Sequence, residues 1–514
     1  MKTSRKFFSI ALAVLLCLTA LIPAVSAADT NTVYYIENPY KNIDWDSINQ
    51  YKAALHTHTN ASDGDPTLKQ SIERHTQTGF DIVASTDHGT VNYSWVEPNP
   101  NKLIHGALSL VGKTEGDLIY LGTQGQFESG TSYTVSEANG TEYLNLSDGR
   151  TIMRVPYGIE NNAVSVNAHV NGFFADYSDN TITNYEDAVK GVDAAGGLSV
   201  INHPGEYSKA RYELHSADAY NEEVFSYKYL INKWCSLLEK FPSCLGFDVN
   251  SKGDGRTRFD RIVWDKVLTR FSKNGKNIYC ICSSDAHQLN KIDTGFTYIL
   301  MNDLTPDNMK KAMAAGEMIG GSHCIGNYEE LCDIAAALKS FYGETELYTK
   351  INTTTLEMEK RVAEIESGER DADDDIGITY DVLDEQGFCT VENQPMITSV
   401  TVSESDGTIT VDSENALIVR WISDGKLIAT TKADEGTLSL ADFDGEIGSY
   451  VRAEVFGEGG ILYTEPFLIA REGVTTSADV VEKGYFNAGI FDFLFAVFHN
   501  WGEILGRVFA NLFN

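Results

Sequence analysis

The sequence predicts an α/β fold with mainly parallel strands closed into a barrel, followed by a helical linker and a small all-β, sandwich-like domain. Three observations carry that expectation. From Tyr51 to Cys324, short β-rich apolar runs alternate with amphipathic segments, the pattern of repeated strand–helix units. Most of those runs end in His, Asp or both, which gathers polar groups at the carboxyl ends of the strands. Past Asn327 the texture turns helical and polar, and from about Pro395 it becomes short alternating strands broken by turn signals.

The elements follow in order along the 514 residues, a length that suggests roughly two to four domains. In residues 1–27, Lys2, Arg5 and Lys6 precede the apolar "FFSIALAVLLCLTALIPA", and "AVSA" offers small residues for cleavage after Ala27. This is the design of a secretory signal peptide and implies a secreted or extracellular-surface protein. Residues 28–327 hold the barrel. Its expected strands are "KAALHTH", "FDIVASTDH", "AVSVNAH", "GGLSVINHP", "CLGFDVN" and "NIYCICSSDAH", and helical segments such as "TLKQSIERHTQTGF" and "FDRIVWDKVLTRFSKNGK" lie between them. A stretch rich in Gly, Asn, Ser and Thr, about residues 92–158, reads as an insertion over one edge of the barrel face. Residues 328–394 form the acidic helical linker and 395–472 the β-sandwich. In residues 484–514 the aromatic-rich run is interrupted by Asp492, His499, Glu503 and Arg507. An amphipathic helix docked on the protein, or touching a membrane surface peripherally, fits that pattern better than a membrane span.

Composition narrows the function. With 73 acidic against 40 basic residues the formal net charge is −33, which repels nucleic acid as a stable partner. Of eight cysteines, Cys17 falls in the leader, and the sparse, odd remainder is not a disulfide framework. Cys235 with Cys244 and Cys324 with Cys332 are the pairings that spacing allows; Cys280 and Cys282 read as small buried strand residues.

The chemistry lies in the strand ends. His56 and His58 in "LHTHTNASDG", Asp63 just after them, His88 in "STDHG", Glu160 and His169 in "GIENNAVSVNAHVNG", His203 in "INHPG", and Asp285 with His287 in "SSDAH" are candidate metal ligands. Alternate residues of an extended strand point the same way, so His56 with His58, and Asp285 with His287, can each chelate from one strand end. Imidazole and carboxylate in this number suit two or three divalent ions such as Zn, Mn or Fe.

In that order, "LHTHTNASDG", "STDHG", "INHPG" and "SSDAH" resemble the motifs of the polymerase and histidinol phosphatase (PHP) family of metal-dependent phosphoesterases. "GIENNAVSVNAHVNG" and "GFDVNSKGDGR" are similar to its CehA/McbA-like branch. The resemblance covers roughly residues 51–324. It implies a distorted (β/α)7 barrel with a bi- or trinuclear site, in which His56, His58 and Asp285 hold one ion, Glu160 bridges to a second held by His169 and His203, and Asp63, His88 and His287 surround a third position. Many relatives carry the bridging Glu in a Gly-x-Glu close behind the "DH" motif, where this chain has Gln124; Glu160 is preferred, with Glu128 the fallback. The implied reaction is hydrolysis of a phosphate ester by metal-activated water, with Asp285 or His287 accepting or relaying a proton. Arg211 and Arg256 are candidate contacts for a small phosphorylated substrate, and Lys209, Lys252, Arg258 and Arg261 are neighbouring cations. The same site can hydrolyse a carbamate, amide or carboxyl ester, and a non-enzymatic metal-containing surface protein is the remaining alternative.

Overall fold

The structure, a computed structural model, describes residues 32–102, 115–161, 169–178, 184–208, 213–221, 223, 225–250, 257–370 and 393–482. The expected signal peptide, the C-terminal segment from 484, Arg211 and Arg256 lie outside these residues. Among the described residues no helix is long and apolar enough to cross a membrane.

The chain is a mixed α/β protein. Its strands are β1 (Tyr34–Glu37), β2 (Asn49–Ala54), β3 (Ile82–Val83), β4 (Gln124–Gln126), β5 (Ser132–Ala138), β6 (Thr141–Leu146), β7 (Thr151–Arg154), β8 (Ile159–Asn161), β9 (Val170–Phe173), β10 (Leu198–Ile201), β11 (Cys244–Asp248), β12 (Tyr279–Ile281), β13 (Gly295–Met301) and β14 (Met318–Ser322). Then follow β15 (Met396–Ser403), β16 (Thr408–Glu414), β17 (Ile418–Ser423), β18 (Lys426–Lys432), β19 (Thr437–Ser439), β20 (Tyr450–Gly457), β21 (Gly460–Thr464) and β22 (Phe467–Arg471). The helices of ten residues or more are α1 (Leu68–Gln77), α2 (Tyr185–Ala194), α3 (Phe225–Lys240), α4 (Asp260–Ser272), α5 (Pro306–Ala315), α6 (Tyr328–Tyr342) and α7 (Glu346–Ser367).

Local chemistry explains the helix ends. Thr67 caps α1 through a reciprocal box with Gln70. Thr305 caps α5, Pro306 opens it, and Gly316 closes it in the left-handed region at φ 72°. The strands β10 and β11, "LSVI" and "CLGFD", are buried along their whole length, as expected of strands covered on both faces.

A five-stranded sheet runs β12-β11-β10-β9-β8, and a larger one runs from β1 through β22, β20, β21, β14, β13, β2, β3 and β7 to β4. Strands β10, β11 and β12 are parallel, as are β2, β3 and β7, whereas β9 is antiparallel to both β8 and β10. Two isolated parallel bridges, Thr57 to Ala286 and His88 to Glu160, join the two sheets. The expected strand "AVSVNAH" falls mostly on residues outside the described set; the described strand β9 begins just after His169 rather than ending there. Because β9 is reversed, its start lies at the same end as the carboxyl ends of β10, β11 and β12. The insertion contributes β4, β5 and β6, which extend the edge of the larger sheet beyond β7.

The C-terminal strands are continuous with that sheet. β21 pairs with β14 from Ile319–Thr464 to Ser322–Ile461, and one buried cluster runs from Val170, Phe247 and Val263 through Leu331 and Ile334 of α6 to Tyr450, Phe456 and Tyr463. A small sheet, β15-β16-β19, supplies Ile397, Val400, Ile409 and Val411 to a second core with Val419, Trp421 and Val455.

Two expectations are corrected. Cys235, Cys244 and Cys332 are free thiols, so neither anticipated pairing forms; Cys324 is disulfide-bonded, and none of the other described cysteines is its partner. Arg258 and Arg261, expected as cations neighbouring an anionic substrate, are buried. Arg261 is 5 % exposed and sits in a buried ionic cluster in which Arg452 contacts Asp265 at 2.7 Å and Glu454 at 2.7 Å, and Arg420 contacts Glu330 at 3.1 Å. A guanidinium in that position is consumed by its carboxylates.

Candidate metal centre

The parallel ends of the strands and the reversed start of β9 bring all nine candidate ligands together. His56 and His58 follow β2, His88 follows β3, Glu160 lies in β8, His169 precedes β9, His203 follows β10, and Asp285 and His287 follow β12. His56 Nε2 and His58 Nε2 are 3.2 Å apart, and they lie 3.1 and 3.0 Å from the same oxygen, Asp285 Oδ1. Glu160 Oε2 is 3.5 Å from His56 Nε2, 3.3 Å from His58 Nε2 and 2.9 Å from His88 Nδ1. Its other oxygen is 2.9 Å from His169 Nδ1 and 3.7 Å from His203 Nε2. Glu160 thus occupies the centre of the cluster, whereas Gln124 lies on β4 in the far edge of the larger sheet and the Glu128 backbone N–H is tied to Glu73.

Three groupings have ligand atoms close enough to share an ion: His56, His58 and Glu160; His88, Glu160 and His169; and His58, Asp63, His88 and His287. Their make-up differs in detail from the expected partition. His58 belongs to the inner and the outer group, and His203 lies beside the inner residues, its Nε2 3.7 Å from Glu160 Oε1 and 3.9 Å from Asp285 Oδ2. Burial grades the site. His56, His58, Glu160, His203 and Asp285 are buried, whereas the His287 and Asp63 side chains are 36 % and 52 % exposed and form the mouth.

The electrostatics are those of a cation site. Burial pushes the His56 imidazole toward neutrality, but the Asp285 and Glu160 carboxylates with Asp248 outweigh it and lift it to about 10. Burial is likewise outweighed at His287, which Asp285 and Asp63 raise to about 9, and at His88, held well above its usual value by Glu160 and Asp63. Burial opposes ionisation of Glu160, yet His88, His56 and His169 keep it well below the usual carboxylate range. His169 goes the other way: burial, helped by His203 and His88, holds it near 4 despite Glu160.

The donor set fits divalent ions. The His56 and His58 Nε2 atoms, 3.2 Å apart, and Asp285 Oδ1, 3.1 and 3.0 Å from them, can turn two imidazole lone pairs and a carboxylate oxygen on one cation. His203 and Asp285 also take left-handed backbone angles, φ 28° and 43°, strain of the kind retained where a side chain must be aimed.

The sequence reasoning passed over a set of supporting residues. Asp248 Oδ2 is 3.0 Å from His56 Nδ1. Asn202 donates to Glu160 Oε1 at 2.8 Å, and Glu206 Oε2 is 2.8 Å from His203 Nδ1. Asp87 accepts from Thr59 N at 2.7 Å and Ser62 Oγ at 2.8 Å, fixing the turn that presents Asp63. The available signal was adjacency: each neighbours a ligand in sequence or closes a strand that otherwise lacked one.

Together these features define the class of the site, a candidate polynuclear metal centre of imidazoles and carboxylates at the joined ends of two sheets. No family model and no curated protein matches the chain. Among solved structures, a two-domain protein from Bacteroides vulgatus containing a predicted PHP-like metal-dependent phosphoesterase is similar at 12 % identity and TM-score 0.33, covering 83 % of this chain and 88 % of that one. A lesion-specific endonuclease from Pyrococcus furiosus is similar at 14 % identity and TM-score 0.26, with 52 % and 56 % covered. An amidohydrolase from Chromobacterium violaceum, with bound sulfate and no metal, is similar at 14 % identity and TM-score 0.22, with 46 % and 87 % covered. Likenesses this distant carry no argument about function, which rests on the site itself.

Proposed function

We propose that this protein is a secreted or cell-surface metal-dependent hydrolase of phosphate esters, built on a distorted (β/α)7 barrel of the PHP type. The observation that carries the reading is the convergence of nine imidazole and carboxylate ligands on one end of the strands. A closed structural site needs four ligands, and a set this large, graded from buried to exposed, is suited to ions that share a substrate.

His56, His58, Glu160, His169, His203 and Asp285 would hold the inner ions, and Asp63, His88 and His287 the outer position. Divalent ions bound there supply Lewis acidity and lower the pKa of water. The chain's own groups do the rest. Glu160 ties the inner and outer imidazoles into one charge unit. His287, whose Nδ1 donates to the Asp285 carbonyl at 2.9 Å, keeps Nε2 toward Asp63 at the mouth, where it would hold the outer ion or, with that position empty, take up and return a proton. The closely packed imidazoles and carboxylates leave the substrate to approach from the exposed Asp63 side. Arg211 and Arg256 remain the proposed phosphate contacts, and the residues from 484 a proposed peripheral membrane contact.

The test is to purify the mature protein, count its metals, and assay it with Mn, Zn and Fe against phosphomonoesters, phosphodiesters, carboxyl esters and amides. Phosphate release that needs a divalent ion and is lost in His58→Ala is the expected result. Hydrolysis of carboxyl esters or amides alone would move the substrate class, and no hydrolysis with any ion would end the enzymatic reading.

A further inference from the structure

We infer that Asp248 is a positioning residue for the metal centre: it holds His56 in the tautomer that leaves Nε2 free to ligate. This deepens the proposed function and rests on the same site. Asp248 closes β11 and is fully buried. Its Oδ2 lies 3.0 Å from His56 Nδ1 and also accepts from the Ser283 hydroxyl. His56 Nε2, on the opposite side of the ring, faces Asp285 and Glu160. With Nδ1 donating to Asp248, the lone pair of neutral His56 must sit on Nε2.

Of the other imidazoles, His203 has a comparable brace, Glu206 Oε2 at 2.8 Å from Nδ1, whereas His58 Nδ1 has the Ser62 hydroxyl at 3.4 Å and Asp63 Oδ1 at 3.7 Å, and at the mouth His287 Nδ1 meets a backbone carbonyl. A carboxylate partner makes the imidazole a stronger donor and fixes its ring plane, so His56 is a firmly held nitrogen ligand. Ser283 sits two residues before Asp285, so one β12 end supplies both the ligand and the brace for this carboxylate. Among the described residues Asp248 Oδ1 has no hydrogen-bond partner. A buried carboxylate left half-satisfied is costly as a purely structural device and is explained by the charge it lends to His56.

The experiment titrates the metal-free full chain with zinc chloride by calorimetry and follows selectively 15N-histidine-labelled protein by NMR. In the wild type loaded with zinc, His56 should carry its proton on Nδ1. In Asp248→Asn, whose amide can present N–H groups to the ring, zinc affinity should fall about 10–100-fold and the tautomer signature should be lost; Asp248→Glu should recover part of both. Ser283→Ala, a smaller change suited to the case where Asp248→Asn fails to fold, should weaken zinc binding in the same direction. A wild-type His56 protonated on Nε2, or zinc affinity unchanged in every variant that folds, overturns the inference. Zinc binding without hydrolysis of any ester would overturn the proposed function and leave Asp248 its role. A wild type that binds no zinc overturns both.

Discussion

Glu160 lies against five of the histidines, His56, His58, His88, His169 and His203, and its removal should show it. In Glu160→Gln the amide places N–H groups against His88 and His56 where an anion now stands, so at least one bound ion per chain should be lost, counted by elemental analysis against His203→Ala and wild type. The histidines also set a pH dependence. In the metal-free protein the folded values of His56, about 10, and His287, about 9, lie above the ordinary imidazole value. Their contribution to stability is therefore complete below about pH 6.5 and is lost as pH climbs through 9 to 10. His169, depressed to about 4, has the opposite sign and costs stability as pH falls from about 6.5 toward 4. Thermal unfolding of the metal-free chain should accordingly be most favourable to the fold near pH 6.5 to 7. Metal loading should release protons, read as calorimetric heats that vary with the buffer's ionisation enthalpy. At this scale most of the site was legible. His-x-His and Asp-x-His pairs announce themselves because strand spacing turns them to one side. Glu160 was the hard residue: Gly158-Ile159-Glu160 ahead of His169 favoured it over Glu128, and its pairing with β9 and bridge to His88 put it at the centre. Asp248 and Asn202 stayed hidden because a supporting partner needs no fixed spacing from the ligand that it orients.

Among the elements, β11 shows how backbone detail aims a ligand. Gly246 has φ 149°, and a Cβ there would come 2.0 Å from the Tyr279 carbonyl oxygen of the neighbouring strand. Gly246→Ala should therefore spread β11 from β12, cost about 2–3 kcal/mol and shift Asp248 relative to Asp285. A denaturant midpoint and a zinc titration on the same sample would read both effects, and an unchanged midpoint would contradict the account. The strand–helix alternation was legible because apolar runs and caps such as Thr67 and Thr305 are local. The reversal of β9 was not, because a four-residue strand reads the same in either direction and only its partners decide.

For the whole molecule, the shared core argues that the C-terminal strands are part of the folding unit. β21 covers β14, and Arg420, Arg452 and Glu454 complete the buried ionic cluster begun by Arg261, Asp265 and Glu330. A chain ending at residue 392 would strip Asp265 and Glu330 of Arg452 and Arg420, leaving Arg261 to face both carboxylates, and expose one side of β14. It should be insoluble or lack cooperative unfolding, and a truncated chain that folds and binds zinc with native affinity would overturn that view. The change of texture past Asn327 was visible in the sequence, but composition cannot tell a separate domain from strands that add to an existing sheet.

Of the three isolated bridges among the described residues, Thr57 to Ala286 and His88 to Glu160 are thin stitching between the two sheets, and they fall where the candidate ligands converge. A seam closed by so few backbone bonds opens readily on its own. Ions gripped from both sides would act as rivets across it. Stripping them with a chelator should therefore speed amide hydrogen exchange at amides that cross this seam, such as His58 N bonded to Ala286 O and Gly89 N bonded to Glu160 O, while the interior ladders of β10 and β11 keep their protection.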